Sequence, residues 1–157
     1  MSQRQLLPII VAQYHLDGHY KGPKYKHWSI VVLVSRTKAY IYEVQGAINT
    51  FTYAPTLITD FEQSVNLQGG YLVGHISPAK LGWLSEQLAD VEVKKYDGEW
   101  DCQSWVMDAL RVLKDSGVGI ITSDIGRGHI ISELREELER WDLGEDIVHE
   151  RLFPESK

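Results

Sequence analysis

Two hydrophobic periods divide this chain. From Leu6 to Ile76 the apolar residues come in short runs broken by turn residues, as strands require. Residues 6–15 read as a first strand: Pro8 sits near its start, Ile9, Ile10 and Val11 are β-formers, and Asp17-Gly18 ends it. His19 to Lys26 is a polar loop with Gly22-Pro23 as its turn. His27 to Val34 (HWSIVVLV) is the strongest strand, and its nearly continuous β-branched run predicts burial on both faces. Ser35 to Lys38 turns the chain into a return strand over Ala39 to Val44, which Gly46 ends. Phe51 to Tyr53, Leu57 to Phe61 and Leu67 to Ile76 are further strand candidates.

After Ile76 the period lengthens. Ser77-Pro78 has the form of a helix start, Ser as cap and Pro at the first helical position. Leu81, Leu84, Leu88 and Val91 then mark one helix face. A polar connection, Lys94 to Glu99, leads to a central helix over residues 101–115. Asp101 is placed to cap it, Cys102, Trp105, Val106, Ala109, Leu110 and Leu113 share a face, and Gly117 stops it. Ser132 opens a third helix with Ile131, Leu134, Leu138 and Trp141 on one face, and the charged tail after Gly144 is expected to fray. The pattern predicts one α+β domain over residues 1–157, an antiparallel sheet built on the 27–44 hairpin and packed against the central helix.

Charge and cysteine content narrow the function classes. A net charge of -6 argues against nucleic acid, whose binding rests on Lys and Arg. Lys21, Lys24 and Lys26 form one short basic cluster, read as a solvated loop with a substrate contact as the alternative. The single cysteine excludes an internal disulfide and fits a reducing compartment. The longest strongly apolar run, Ile30 to Val34, is far below the ~20 residues that cross a bilayer, and Leu6 to Ala12 is too short for a signal peptide. The expectation is a cytoplasmic protein without a transmembrane segment.

Candidate chemistry centres on Cys102. A thiol in the first turn of a helix faces unpaired backbone N–H groups and the positive end of the helix dipole, and both favour the nucleophilic thiolate. His27, at the mouth of the strongest strand, is the candidate proton acceptor. Side chains alternate along a strand, so His27, Ser29 and Val31 share a face, as do Ile41, Glu43 and Gln45 on the return strand. If those faces coincide, Glu43 can accept the second imidazole N–H and hold the tautomer. His75 is the alternative third member. Trp28, Trp100 and Trp105 are placed either to wall a substrate cleft or to fill the core. A metal set of His27, His75 and Cys102 has no recognisable ligand spacing, and no cofactor motif is present.

Taken together, His27-Trp28-Ser29-Ile30-Val31-Val32, the hairpin into Tyr40-Ile41-Tyr42-Glu43-Val44, and Asp101-Cys102-Gln103-Ser104-Trp105-Val106 on a helix resemble the circularly permuted papain-like thiol enzymes. The likeness is to the lecithin:retinol acyltransferase-like branch of the NlpC-type superfamily, over roughly residues 9–113. It implies Cys102 as nucleophile, His27 as general base and Glu43 in the third position, without a cofactor. Its activity would be that of a hydrolase or acyltransferase of amidase or peptidase type, acting on a small-molecule, lipid or peptide substrate. Two positions depart from that pattern: the third residue is commonly histidine where Glu43 stands, and the residue before the cysteine is commonly asparagine where Asp101 stands. These departures suit a catalytically silent binding module of the same fold. A non-hydrolytic biosynthetic enzyme using the same cleft is a further alternative.

Overall fold

The computed structural model describes residues 5–16, 25–46 and 49–154. Asp17-Gly18, Lys21, Gly22-Pro23 and Lys24 lie outside them. The architecture is α+β. A five-stranded antiparallel sheet is formed by β1 (Leu7–Tyr14), β2 (His27–Leu33), β3 (Ala39–Tyr42), β6 (Thr56–Ile58) and β7 (Leu67–Ile76), in the spatial order β6-β3-β2-β1-β7. Two short strands, β4 (Val44–Gln45) and β5 (Thr52–Tyr53), pair with each other beside it. Four α-helices follow among the described residues: α1 (Leu81–Ala89), α2 (Cys102–Asp115), α3 (Arg127–Asp142) and α4 (Val148–Leu152).

The alternation of side chains explains why the central strands carry almost no polar residues. Ile9, Val11, Trp28, Ile30 and Val32 pack on one side against α1, α2 and α3, through Leu84, Leu88, Val106, Leu110, Leu113, Ile130 and Leu134. Ile10, Ala12, Val31, Leu33, Ala39 and Ile41 pack on the other against Phe61, Leu67 and Val148. Both faces of β2 are therefore covered, and only its first residue, His27, is partly exposed. The registers Tyr14↔His27 and Ile30↔Tyr42 bring the start of β2 and the end of β3 to the same end of the sheet. Residues 120–121 lie tight against β7, since a Cβ at Gly74 would stand 1.9 Å from the Ile120 carbonyl oxygen.

The strand expected over Leu57 to Phe61 ends at Ile58, and Phe61 opens a short 3-10 turn instead. Three further boundaries differ from the sequence pattern. The return strand breaks at Glu43, where the chain leaves the main sheet for the β4–β5 pair. The third helix begins at Arg127 rather than Ser132. Its first turn (Arg127, Gly128, His129) has no amphipathic signal, but Ile130 is fully buried and anchors it. The tail after Gly144 is ordered into α4, contrary to the expected fraying. Glu137, buried on α3, accepts hydrogen bonds from the Val148 N–H (2.5 Å) and the Gly70 N–H (3.1 Å) and pairs with Arg151 (2.9 Å), which ties α4, β7 and α3 together. Among the described residues no helix is long and apolar enough to cross a membrane.

Candidate active site

The first turn of α2 is fastened to the chain that leads into β2. Asp101 is extended and buried, and its Oδ1 accepts from the Gln103 N–H (3.0 Å) and the Ser104 N–H (3.4 Å). Ser104 Oγ returns the bond by accepting from the Asp101 N–H (3.1 Å), a reciprocal cap. The Tyr25 hydroxyl donates to the other carboxylate oxygen of Asp101. Gln103 Nε2 donates to the Lys26 carbonyl (2.8 Å). Both residues that flank Cys102 are thus tied to residues 25–26, immediately before His27.

This bracing brings the two reactive groups together. The Cys102 thiol comes near enough to the His27 imidazole to raise its pKa, although they lie on different elements. His27 Nε2 stands 2.8 Å from Glu43 Oε1, which leaves Nδ1 for the thiol. The contact with Glu43 follows from register: Tyr42 opposes Ile30, so the next residue continues on the face that carries Ser29 and His27. Glu43 is itself held, its Oε2 accepting from Gln45 Nε2 (2.7 Å) and its carbonyl from the Ala54 N–H (2.7 Å). Tyr14, opposite His27 on β1, sets its ring 5.6 Å from the imidazole.

Burial alone would pull the His27 pKa down. The hydrogen bonds to Cys102 and Glu43, and the negative charge available on each, outweigh it and push the value up to about 10. The imidazole is therefore held as imidazolium at neutral pH. Burial also raises the Tyr25 hydroxyl well above the ordinary tyrosine range, reinforced by its bond to Asp101, so it stays a proton donor to that carboxylate.

The remaining candidates separate clearly. Trp28 is buried, with its ring beneath the Arg127 guanidinium at 5.7 Å, and lines a cleft that His27 and Cys102 themselves do not line. Trp105 and Trp100 do not line it. Trp105 is fully buried on the inner face of α2, beside Tyr53, and Trp100 packs edge-on against Phe51 with its indole N–H on Asp108. These two tryptophans belong to the core, because the helix face that carries Trp105 is the one α2 turns to the sheet. His75 pairs opposite Pro8 at the far end of β1, six residues from Tyr14 and so about 20 Å along the strand, which removes it as a third member.

Among the described residues, Glu62, His149 and Glu150 place ligand atoms within 4.8 Å of one another. Arg36 already pairs with both of those carboxylates, at 2.5 Å and 3.3 Å. This cluster adjoins α4, not α2.

The cleft, of about 570 Å³, is lined by Gln13, Lys26, Gln103 and Arg127 with Ile131 and Leu138 among its apolar walls. The immediate neighbours of His27 and Cys102 in sequence form part of its wall. Of the residues that build the site, Tyr25, Gln103 and Arg127 carry no signal of their own in the sequence. Arg127 reaches it only through the tertiary path of α3, where it donates to Gln103 Oε1 at 3.0 Å. No curated protein and no solved structure matches the chain. A family of unknown function, DUF6540, matches residues 13–119, a span that holds His27, Glu43 and Cys102 and ends before α3, and the chain belongs to that family.

Proposed function

We propose that the chain is a papain-like thiol enzyme, a hydrolase or acyltransferase that cleaves an amide, peptide or ester through Cys102, His27 and Glu43. The observation that carries this reading is the position of His27. One ring nitrogen is available to the Cys102 thiol at the start of α2, and the other is bonded to Glu43 at 2.8 Å. This is the nucleophile, base and orienting group in one chain of contacts.

In the reaction, the proton shared by the pair rests on His27, and the Cys102 sulfur attacks the carbonyl carbon of the substrate. The carbonyl π electrons move to oxygen, and the Cys102 backbone N–H, which has no carbonyl partner within the helix, donates to the oxyanion. As the carbonyl re-forms, the bond to the leaving amine or alcohol breaks. That group takes the proton from the His27 imidazolium, leaving a thioester on Cys102. Water or another acceptor then loses a proton to His27, attacks the thioester and releases the product, and the starting Cys102–His27 pair is regenerated. Glu43 does not touch substrate. It fixes the imidazole orientation and stabilises its positive charge.

The buried carboxylate of Asp101 beside the nucleophile favours a second reading, a silent binding module of the same fold. Its hydrogen bonds from two amides and Tyr25 spread that negative charge and weaken the objection.

The test is acylation by p-nitrophenyl acetate, read by intact-protein mass spectrometry and peptide mapping. The expected result is one acetyl group on Cys102 in the wild type, lost in Cys102→Ser and strongly slowed in His27→Ala. Acetylation absent from Cys102, or indifferent to His27, overturns the enzyme reading.

A further inference from the structure

The cleft walled by Lys26, Trp28 and Gln103, the sequence neighbours of His27 and Cys102, has a charge opposite to that of the chain. The chain carries 22 acidic residues against 16 Lys and Arg. Yet the described residues lining this cleft include Lys26, Arg127 and Arg135 and no carboxylate. The other lining residues are uncharged: Gln13, Tyr25 and Gln103 are polar, and Trp28, Ile131, Leu134 and Leu138 supply apolar wall. A surface drawn at random from this composition would hold more acids than bases.

Arg127 is held in place rather than free in solvent. It donates to Gln103 Oε1 at 3.0 Å and lies over the Trp28 ring at 5.7 Å, so its fork is oriented before any ligand arrives. Two of its five donors at most are used by a single acceptor oxygen, and the remainder can bind a planar oxyanion. Arg127 is also the first residue of α3, a helix of 16 residues whose Gly126 cap supplies no side-chain acceptor, so the positive helix end adds to the same field. Tyr25 links the cleft to the nucleophile. Tyr25 is a lining residue, and its hydroxyl is within electrostatic reach of both Cys102 and Arg127.

We propose that the cleft binds the anionic end of the substrate, a carboxylate or phosphate held by Arg127 with Lys26 and Arg135, while an adjoining apolar portion lies on Trp28, Ile131 and Leu138. This rests on the thiol-enzyme reading above and narrows its substrate to acyl or amide compounds that carry an oxyacid group. Neutral amides and cationic peptides are disfavoured.

The test separates the two readings by using alkylation of Cys102 as the common readout. Iodoacetamide reports thiol reactivity. Protection against it by hexanoate, or by inorganic phosphate, reports oxyanion binding in the cleft, with chloride at matched ionic strength as the control. The expected result is alkylation of Cys102 in the folded wild type, slowed at millimolar concentration by one of these anions and not by chloride. Protection by hexanoate assigns a carboxylate substrate, and protection by phosphate a phosphorylated one. Arg127→Gln weakens protection by on the order of tenfold, as loss of a charge-assisted contact should. Arg135→Gln, at an exposed position that no contact ties to α2, weakens it by about threefold. Alkylation that proceeds unprotected by either anion, or protection that survives both substitutions, overturns the cleft assignment and leaves the thiol reading standing. Failure of Cys102 to react in the folded protein removes both.

Discussion

Replacing Glu43 by glutamine removes one charge and almost no volume, and its effect should be read at His27. The two groups are 2.8 Å apart with side-chain exposures of 21% and 14%, so solvent screens them only partly. A hydrogen bond between charged partners in that setting contributes about 1.5–3 kcal/mol. At 1.36 kcal/mol per pK unit this is about one to two units. His27 should therefore move from about 10 down to about 8–9 in Glu43→Gln, the contact with Cys102 supplying what remains. An imidazole NMR titration of histidine-labelled protein measures this directly, with His27→Gln used to assign the resonance among the six histidines.

The stability consequence has a definite sign. His27 is raised above its unfolded value near 6.5, so its contribution is complete below about pH 6.5 and is lost as pH rises towards 10. Glu43→Gln should cost about 1.5–3 kcal/mol in urea unfolding at pH 7 and much less at pH 10.5, where His27 is largely neutral in both proteins. Lysines and tyrosines that titrate in this window do so in both proteins and drop out of the difference. A wild-type His27 that titrates near 6.5, or a variant whose His27 titrates with the wild type, would refute the reasoning.

Two further substitutions test how the site is held. Glu137→Ala leaves the Gly70 and Val148 amides without their buried acceptor, at about 1–3 kcal/mol each, and hydrogen exchange at Val148 should accelerate before exchange in β2 does. Asp101→Ala removes the cap of α2 and should cost about 1–2 kcal/mol by chemical unfolding, whereas Asp101→Asn keeps an acceptor oxygen and should cost less than half as much.

Residues whose environment is set by local pattern were legible in the sequence. Apolar runs marked β1, β2 and β7 to within a residue or two, Ser77-Pro78 marked the 3-10 turn that leads into α1, and Asp101 marked the start of α2, because caps and alternation are properties of neighbouring residues. The face shared by His27 and Glu43 was legible for the same reason, since strand parity needs only the hairpin register. Long-range packing was not. The first turn of α3 has no cap and no stripe and is helical because Ile130 is buried under α2 and the sheet. The charged tail forms α4 because a single buried carboxylate, Glu137, accepts its first amide. Trp100 and Trp105 could not be assigned to cleft or core from their spacing, because either surface accepts an aromatic ring at that helix position.

The same division explains why the candidate site sits where it does. A strand end and a helix start are the two places where a backbone element presents a side chain that its own interior cannot bury. β2 offers His27 at its first residue, and α2 offers Cys102 at its first residue. Bringing two such ends together requires fixing them at their flanks rather than at the reactive groups. Gln103 does this by donating to the Lys26 carbonyl, and Asp101 by accepting from Tyr25. Because these braces use the residues next to the pair, the thiol and the imidazole remain free to change protonation state without disturbing the joint. Gln103 also receives Arg127, so the brace that sets the Cys102–His27 separation is continuous with the cation that lines the cleft. A ligand that draws on Arg127 is therefore expected to act on the same joint that positions Cys102, so that occupancy of the cleft would change the alignment of the candidate pair.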